Sequence, residues 1–262
     1  MTDHRVVLGD CLDPLTGMAS LPDKSVDHVI CDPPYAKVVV TSAKTAPSGV
    51  IGGSVTRDLG YSGISDEQIA GVAAQIARIT LRWALVFCDA ESLSKWRAAL
   101  ESGGMKHARM GAWVAPNFTP QFSGDRPGTG WEACEIAHAG AGRWRWNGGG
   151  LPAVWIVPRP VNGTEERRAT GHPTPKPLPL LETLVEQFTE PGDLVCDPFS
   201  GSGTTGVACK RLGRRFIGWE REPKYHAIAE KRIAAAREQL GLFREKAPRE
   251  KQAALSLPPE AE

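Results

Sequence analysis

Apolar positions fall into short runs separated by helical stripes. Arg5 to Gly9 is a β-branched run followed by Asp10, and Val26 to Cys31 is followed by Asp32, so the pattern predicts two strands that end in acidic residues. Ser65 with Gln68 three positions later forms a capping box, which opens a helix over about Asp66 to Thr80 with Ile69, Val72, Ala73, Ile76 and Ile79 on one face. Trp83 to Cys88 reads as a strand. Asp89 is expected to cap a second helix to about Glu101, stopped by Gly103-Gly104; Met105 to Ala115 and Glu132 to Ala137 then read as an antiparallel pair.

The second half carries a βαβ pattern. A helix over Pro177 to Thr189 and the turn Glu190-Pro191-Gly192-Asp193 lead into a strand from Leu194 to Cys196. A Gly-rich turn, a helix over about Thr204 to Leu212, a strand from Arg215 to Trp219 and a helix over about Pro223 to Leu240 follow. Stretches 36–63, 116–130 and 139–171 lack periodicity, and loops of that length are more often functional than idle. The segment 243–262 is charged and then Pro-rich, and reads as a disordered tail after a single domain over 1–242. No internal repeat is present.

Composition narrows the class. The 262 residues are 41% hydrophobic, too apolar for a disordered chain, and no uninterrupted apolar run approaches the ~18 residues of a bilayer span. The start carries an acid beside its bases and leads straight into Val6-Val7-Leu8, from which a cytoplasmic location is expected. The six cysteines include no CxxC pair and no histidine at zinc-finger spacing, which disfavours metal ligation, and Cys31, Cys88 and Cys196, each ending an apolar run, read as buried free thiols. A net charge of +1 conceals an uneven distribution, because acids gather at Asp10, Asp13, Asp23, Asp27 and Asp32, and bases gather over 143–168 and 210–251. The neutral total therefore leaves nucleic acid open as a partner.

Two motifs carry chemistry. Asp197-Pro198-Phe199-Ser200-Gly201-Ser202-Gly203-Thr204-Thr205 joins a strand end to a helix, where glycines let backbone N–H groups approach a ligand and the helix N-terminus favours a negative group. The residue after Gly203 is Thr204, where an NTPase loop would have Lys, so ATP hydrolysis is disfavoured. Glu220 ends the next strand near the spacing at which an acid meets ribose hydroxyls, although a Gly-rich turn with a surface acid would look the same in isolation. The second motif is Asp32-Pro33-Pro34-Tyr35, in which the prolines fix a carboxylate, a backbone carbonyl and a ring in place. That set suits a planar ligand with an amino group: Asp32 and the Pro33 carbonyl each accept an N–H, and Tyr35 stacks. A plain Asp-Pro-Pro turn is the alternative.

Taken with His172-Pro-Thr-Pro-Lys-Pro177 and Gly218-Trp-Glu220, these motifs resemble the beta class of DNA amino-methyltransferases from about Arg5 to Ile233. Pro175 stands where the family usually has Gln, and Lys176 is kept. The resemblance implies an α/β, Rossmann-like methyltransferase fold, circularly permuted, with a mostly parallel twisted sheet and an antiparallel hairpin end. It implies S-adenosyl-L-methionine as cofactor, held by Asp197, Pro198, Phe199 and Gly201 to Thr205 (Gly201, Ser202, Gly203, Thr204, Thr205), with Glu220 on its ribose and Asp10 near its adenine. His172, Thr174 and Lys176 would lie beside the cofactor carboxylate, and His172 reads equally well as a helix-entry residue satisfied by backbone. Asp32, Pro33, Pro34 and Tyr35 would be catalytic, acting on a flipped base. Asp at the first position favours adenine N6, with cytosine N4 as the alternative.

The implied partner is double-stranded DNA, and a homodimer and a cognate restriction enzyme are left open. Arg143 and Arg145, interleaved with Trp144 and Trp146, together with Arg159, Arg167 and Arg168, are expected to contact it, with an ordinary solvated hairpin as the stronger reading for the tryptophans. Lys37, Lys44 and Arg57 are rival contacts. An RNA or protein amino-methyltransferase and a catalytically silent DNA-binding module are the readings from other classes.

Overall fold

A computed structural model describes residues 4–35, 63–118, 127–140, 144–161, 163–170 and 175–237. Eight strands form one sheet in the order β1-β8-β7-β2-β3-β5-β4-β6. They are β1 (His4–Leu8), β2 (His28–Cys31), β3 (Trp83–Cys88), β4 (Lys106–Val114), β5 (Trp131–His138), β6 (Val154–Ile156), β7 (Leu194–Asp197) and β8 (Arg215–Glu220). Pairings from β1 through β8, β7 and β2 to β3 are parallel. β5 runs antiparallel to both β3 and β4. All residues of β2 and β3 are buried, which is why both read as unbroken apolar runs rather than alternations.

Six α-helices accompany the sheet among the described residues: α1 (Asp66–Ile79), α2 (Leu93–Ser102), α3 (Glu165–Thr170), α4 (Leu178–Phe188), α5 (Thr204–Arg211) and α6 (Pro223–Ala235). α1 forms as its sequence predicts. Ser65 Oγ accepts the Gln68 N–H while Gln68 Oε1 accepts the Ser65 N–H, and Ile69, Val72, Ala73, Ile76, Ala77 and Ile79 are buried. At its other end Lys24 Nζ donates to the carbonyls of Ala77 and Thr80, satisfying groups that the helix leaves open. The apolar side chains form two cores: α1 and α2 contribute to one, and α4, α5 and α6 to the other. The fold is a helix-covered Rossmann-like sheet with an antiparallel end.

Four expectations need correction. Asp89 does not cap α2: its carboxylate accepts the N–H and hydroxyl of Ser92, closing a turn, and the helix begins afterwards at Leu93. The stretch 139–171, expected as a loop without periodicity, holds β6, paired in parallel with β4, and α3. Three residues give no alternation long enough to read. The strand after Gly192 extends one residue further, to Asp197, and the last helix ends at Ala235 instead of near Leu240. All six cysteines are buried free thiols, and among the described residues no cluster of potential metal ligands forms. No helix among them is long and apolar enough to cross a membrane. The proposed tail, 243–262, lies outside the described residues.

Candidate active site

β2 and β7 are parallel neighbours, yet the chain leaves them in opposite directions: through α1 to β3 from one, and through α5 to β8 from the other. The gap opened beyond their C-terminal ends is where ligands bind in sheets of this kind. Asp32 follows β2, Asp197 ends β7 and Glu220 ends β8. The predicted acids are thus brought to one edge by three adjacent strands.

At β7 the glycine turn is held from several sides. Asp197 Oδ1 accepts the Phe199 N–H at 3.0 Å, and its carboxylate also accepts the Thr205 hydroxyl. Burial raises the Asp197 pKa to about 7, against those hydrogen bonds, and the negative Asp32 and Glu220 add to the rise. Burial also raises Glu220, although the N–H groups of Glu222 and Gly201 favour its charged form. Gly203 has φ +80°, and a Cβ there would lie 2.8 Å from the Ala229 Cβ of α6. Gly218 admits Ser200: a Cβ would collide with the serine hydroxyl. Arg232 on α6, which the sequence reading missed, donates to the Ser202 carbonyl, to Ser202 Oγ at 3.1 Å and to Thr204 Oγ1 at 3.2 Å. Its signal was weak, a basic residue in an amphipathic helix 28 and 30 positions from its partners.

At β2 the arrangement centres on Lys176. Its Nζ lies 2.6 Å from Asp32 Oδ2 and 2.8 Å from Glu132 Oε2. Phe87, Trp113 and Tyr35 surround it at 5.1, 5.4 and 5.8 Å from their ring centroids, within cation–π range. Burial opposes its charge, but the two carboxylates outweigh burial and raise its pKa, so it stays protonated. Tyr35 donates its hydroxyl to Glu132, and Arg159 Nη2 approaches Glu132 Oε1 at 3.3 Å. Burial raises Asp32 above the usual carboxylate range, with Glu132 adding to the rise and Lys176 opposing it. Glu132 also suffers burial, yet Lys176, Tyr35 and Arg159 together hold it below its ordinary value. Asp32 Oδ1 is buried and has no hydrogen-bond partner among the described residues. A buried acceptor without a donor is uncommon and points to a ligand N–H.

The family described as DNA methylase, of the N6/N4 type, matches residues 132–231. YubD of Escherichia coli (strain K12), named as a methylase, is 31% identical over 234 residues, which cover 88% of this chain and 90% of YubD. The chain belongs to the N6/N4 DNA methylase family. A shorter segment of 73 residues, 28% of this chain and 27% of the relative, is 55% identical to the type II methyltransferase M2.DpnII of Streptococcus pneumoniae. The solved M1.HpyAVI–SAM complex is 27% identical with a TM-score of 0.65, covering 87% of this chain and 98% of its own.

Within this methylase the other expected residues are distributed unevenly. Asp10 follows β1 at the same edge, exposed, and accepts the Leu12 N–H. Lys176, expected beside the cofactor carboxylate, forms its ion pairs with Asp32 and Glu132. Arg167 and Arg168 lie on α3, which packs near α6. Arg145, expected to contact DNA, lies away from that edge: its carbonyl accepts the Trp83 indole N–H at 2.6 Å, and Trp83 begins β3, at the opposite edge of the sheet from Asp32. There its guanidinium faces Glu190 at 3.6 Å. Trp144 and Trp146 are half-buried, packed against one of the two cores. Trp144 stacks on His138, and Trp146 packs edge-on to Phe188. Lys37, Lys44, Arg57, Arg143, His172 and Thr174 lie outside the described residues.

Proposed function

We propose that this methylase transfers a methyl group from S-adenosyl-L-methionine to the exocyclic N6 amino group of an adenine flipped out of duplex DNA. The observation that carries the reading is Asp32, with one oxygen held by Lys176 and the other buried without a donor among the described residues, directly before Pro33, Pro34 and Tyr35. Asp32 Oδ1 and the Pro33 carbonyl accept the two amino hydrogens, which directs the nitrogen lone pair out of the base plane. Tyr35 offers its ring to the base face while its hydroxyl stays on Glu132. Lys176 is already protonated and paired, so it fixes the Asp32 carboxylate as an acceptor, and positioning supplies much of the rate. No protein nucleophile is required, which agrees with six thiols that are all buried.

The donor set fits the cofactor. Glu220 offers a carboxylate to vicinal hydroxyls, Asp197 an acceptor for an ammonium, and Gly201 to Thr205 N–H groups at the start of α5. When bound, the cofactor supplies an electrophilic methyl group on a sulfonium. Asp197, Pro198, Phe199, Gly201, Ser202, Gly203, Thr204, Thr205 and Glu220 are the residues assigned to hold it, with Asp10 near its adenine. Circular permutation is part of the same reading. It is supported by the order β1-β8-β7-β2-β3, in which the glycine-turn strand is central in the sheet but late in the chain.

Mass spectrometry of nucleosides from treated duplex DNA tests the base: N6-methyladenine is expected, and N4-methylcytosine would replace adenine with cytosine. Asp32→Ala should abolish transfer and leave cofactor affinity within a few-fold. A fully active Asp32→Ala enzyme would remove Asp32 from the mechanism.

A further inference from the structure

We propose that Glu132 is a positioning residue for the Asp32 centre, acting through Lys176 and Tyr35 and not on the substrate itself. The inference rests on the methyl-transfer reading above. It begins with strand direction. β5 runs antiparallel to β3, and Ala133 pairs with Cys88, the last residue of β3. Glu132 therefore stands just beyond the C-terminal end of β3, on the edge to which β2 delivers Asp32. Glu135, three residues further along, faces the other core, where His107 Nδ1 lies 2.6 Å away. Only one acid of this strand enters the site.

Glu132 is the common partner of three site groups. Lys176 Nζ, the Tyr35 hydroxyl and Arg159 Nη2 all converge on its carboxylate. A lysine ammonium on a flexible stem, held by Asp32 alone, would leave the carboxylate orientation loosely defined. A second carboxylate draws the ammonium from the other side as an ion pair at 2.8 Å, in which Glu132 Oε2 makes no well-directed hydrogen bond among the described residues. The same residue tethers the Tyr35 ring by its hydroxyl, so both base-contacting groups are referred to one anchor.

Charge makes the role measurable. Lys176 and Arg159 balance Asp32 and Glu132, and on β7 Asp197 in turn feels the negative charge of Asp32. Neutralising Glu132 would give Asp32 the whole attraction of Lys176, making its carboxylate a weaker acceptor and easier to ionise. Removing Arg159 would act oppositely.

The experiment compares full-length wild type, Glu132→Gln, Glu132→Asp and Arg159→Gln in methyl transfer to duplex DNA, with kcat and KM across pH and thermal unfolding alongside. Glu132→Gln should lower kcat by roughly 100-fold, keep the cofactor KM within two-fold and displace the acid limb of kcat to lower pH. Glu132→Asp should recover part of kcat. Arg159→Gln should move the acid limb upward, and it serves alone if Glu132→Gln does not fold. An active wild type with a Glu132→Gln variant that retains kcat and the acid limb would overturn the positioning role only. An unmoved limb in Arg159→Gln would do the same. A wild type that transfers no methyl to DNA would overturn the methyl-transfer reading, and this role with it.

Discussion

Asp197 concentrates the conflict between stability and function in one residue. Its pKa of about 7 in the folded chain exceeds the ~3.9 of an unperturbed aspartate, so the folded state binds the proton more tightly than the unfolded state. Its contribution to folding therefore falls as pH rises through that window, and at pH 8 the unliganded protein carries a buried charge against its burial preference. Asp197→Asn keeps an acceptor for the Phe199 N–H and removes the charge. The variant should unfold a few °C above the parent at pH 8, with the difference shrinking as pH falls towards 4, and it should lose cofactor affinity. A lower melting temperature at pH 8 would contradict this. The acid was legible from its strand-end position before the glycines. Glu132 was legible only as the start of a strand, because its role depends on which strand lies beside β5, and one chain read linearly does not give that.

Elements were readable where local chemistry decides them. The Ser65–Gln68 box, the glycine stop after α2 and the glycine turn before α5 each act within a few residues. β6 was not readable, because Val154–Ile156 is held by pairing with β4 across the chain and not by its own pattern. The turn before α5 shows how two elements constrain one residue. Gly203 needs its positive φ to enter the helix, and α6 leaves no room for a Cβ because Ala229 lies against it. Gly203→Ala must therefore strain the backbone and push α6 outward together. We expect a loss of roughly 1–3 kcal/mol in urea unfolding, together with weaker cofactor binding. Wild-type stability would mean that α6 yields freely.

At the scale of the molecule, the sheet has two working edges with different tasks. The C-terminal ends of β2, β7 and β8 gather Asp32, Asp197 and Glu220, and β5 adds Glu132 to them by running the other way. The opposite edge holds an aromatic cluster in which Trp83 meets His138, Trp144 and Phe188 edge to face, with Trp146 packed on Phe188. Alternation of Arg with Trp suggested a nucleic-acid surface because both residue types serve there; in the fold both rings are half-buried and pack into this cluster. Arg145, exposed and facing Glu190, is left as a charge on the far edge. If DNA approaches the edge that carries Asp32, Arg145→Ala should leave kcat/KM within about two-fold. The salt dependence of DNA affinity should also keep its slope, whereas loss of one phosphate contact lowers that slope by about 0.9. A clear fall in the slope would show that the duplex reaches the Trp83 edge, and the docking direction would have to be reversed.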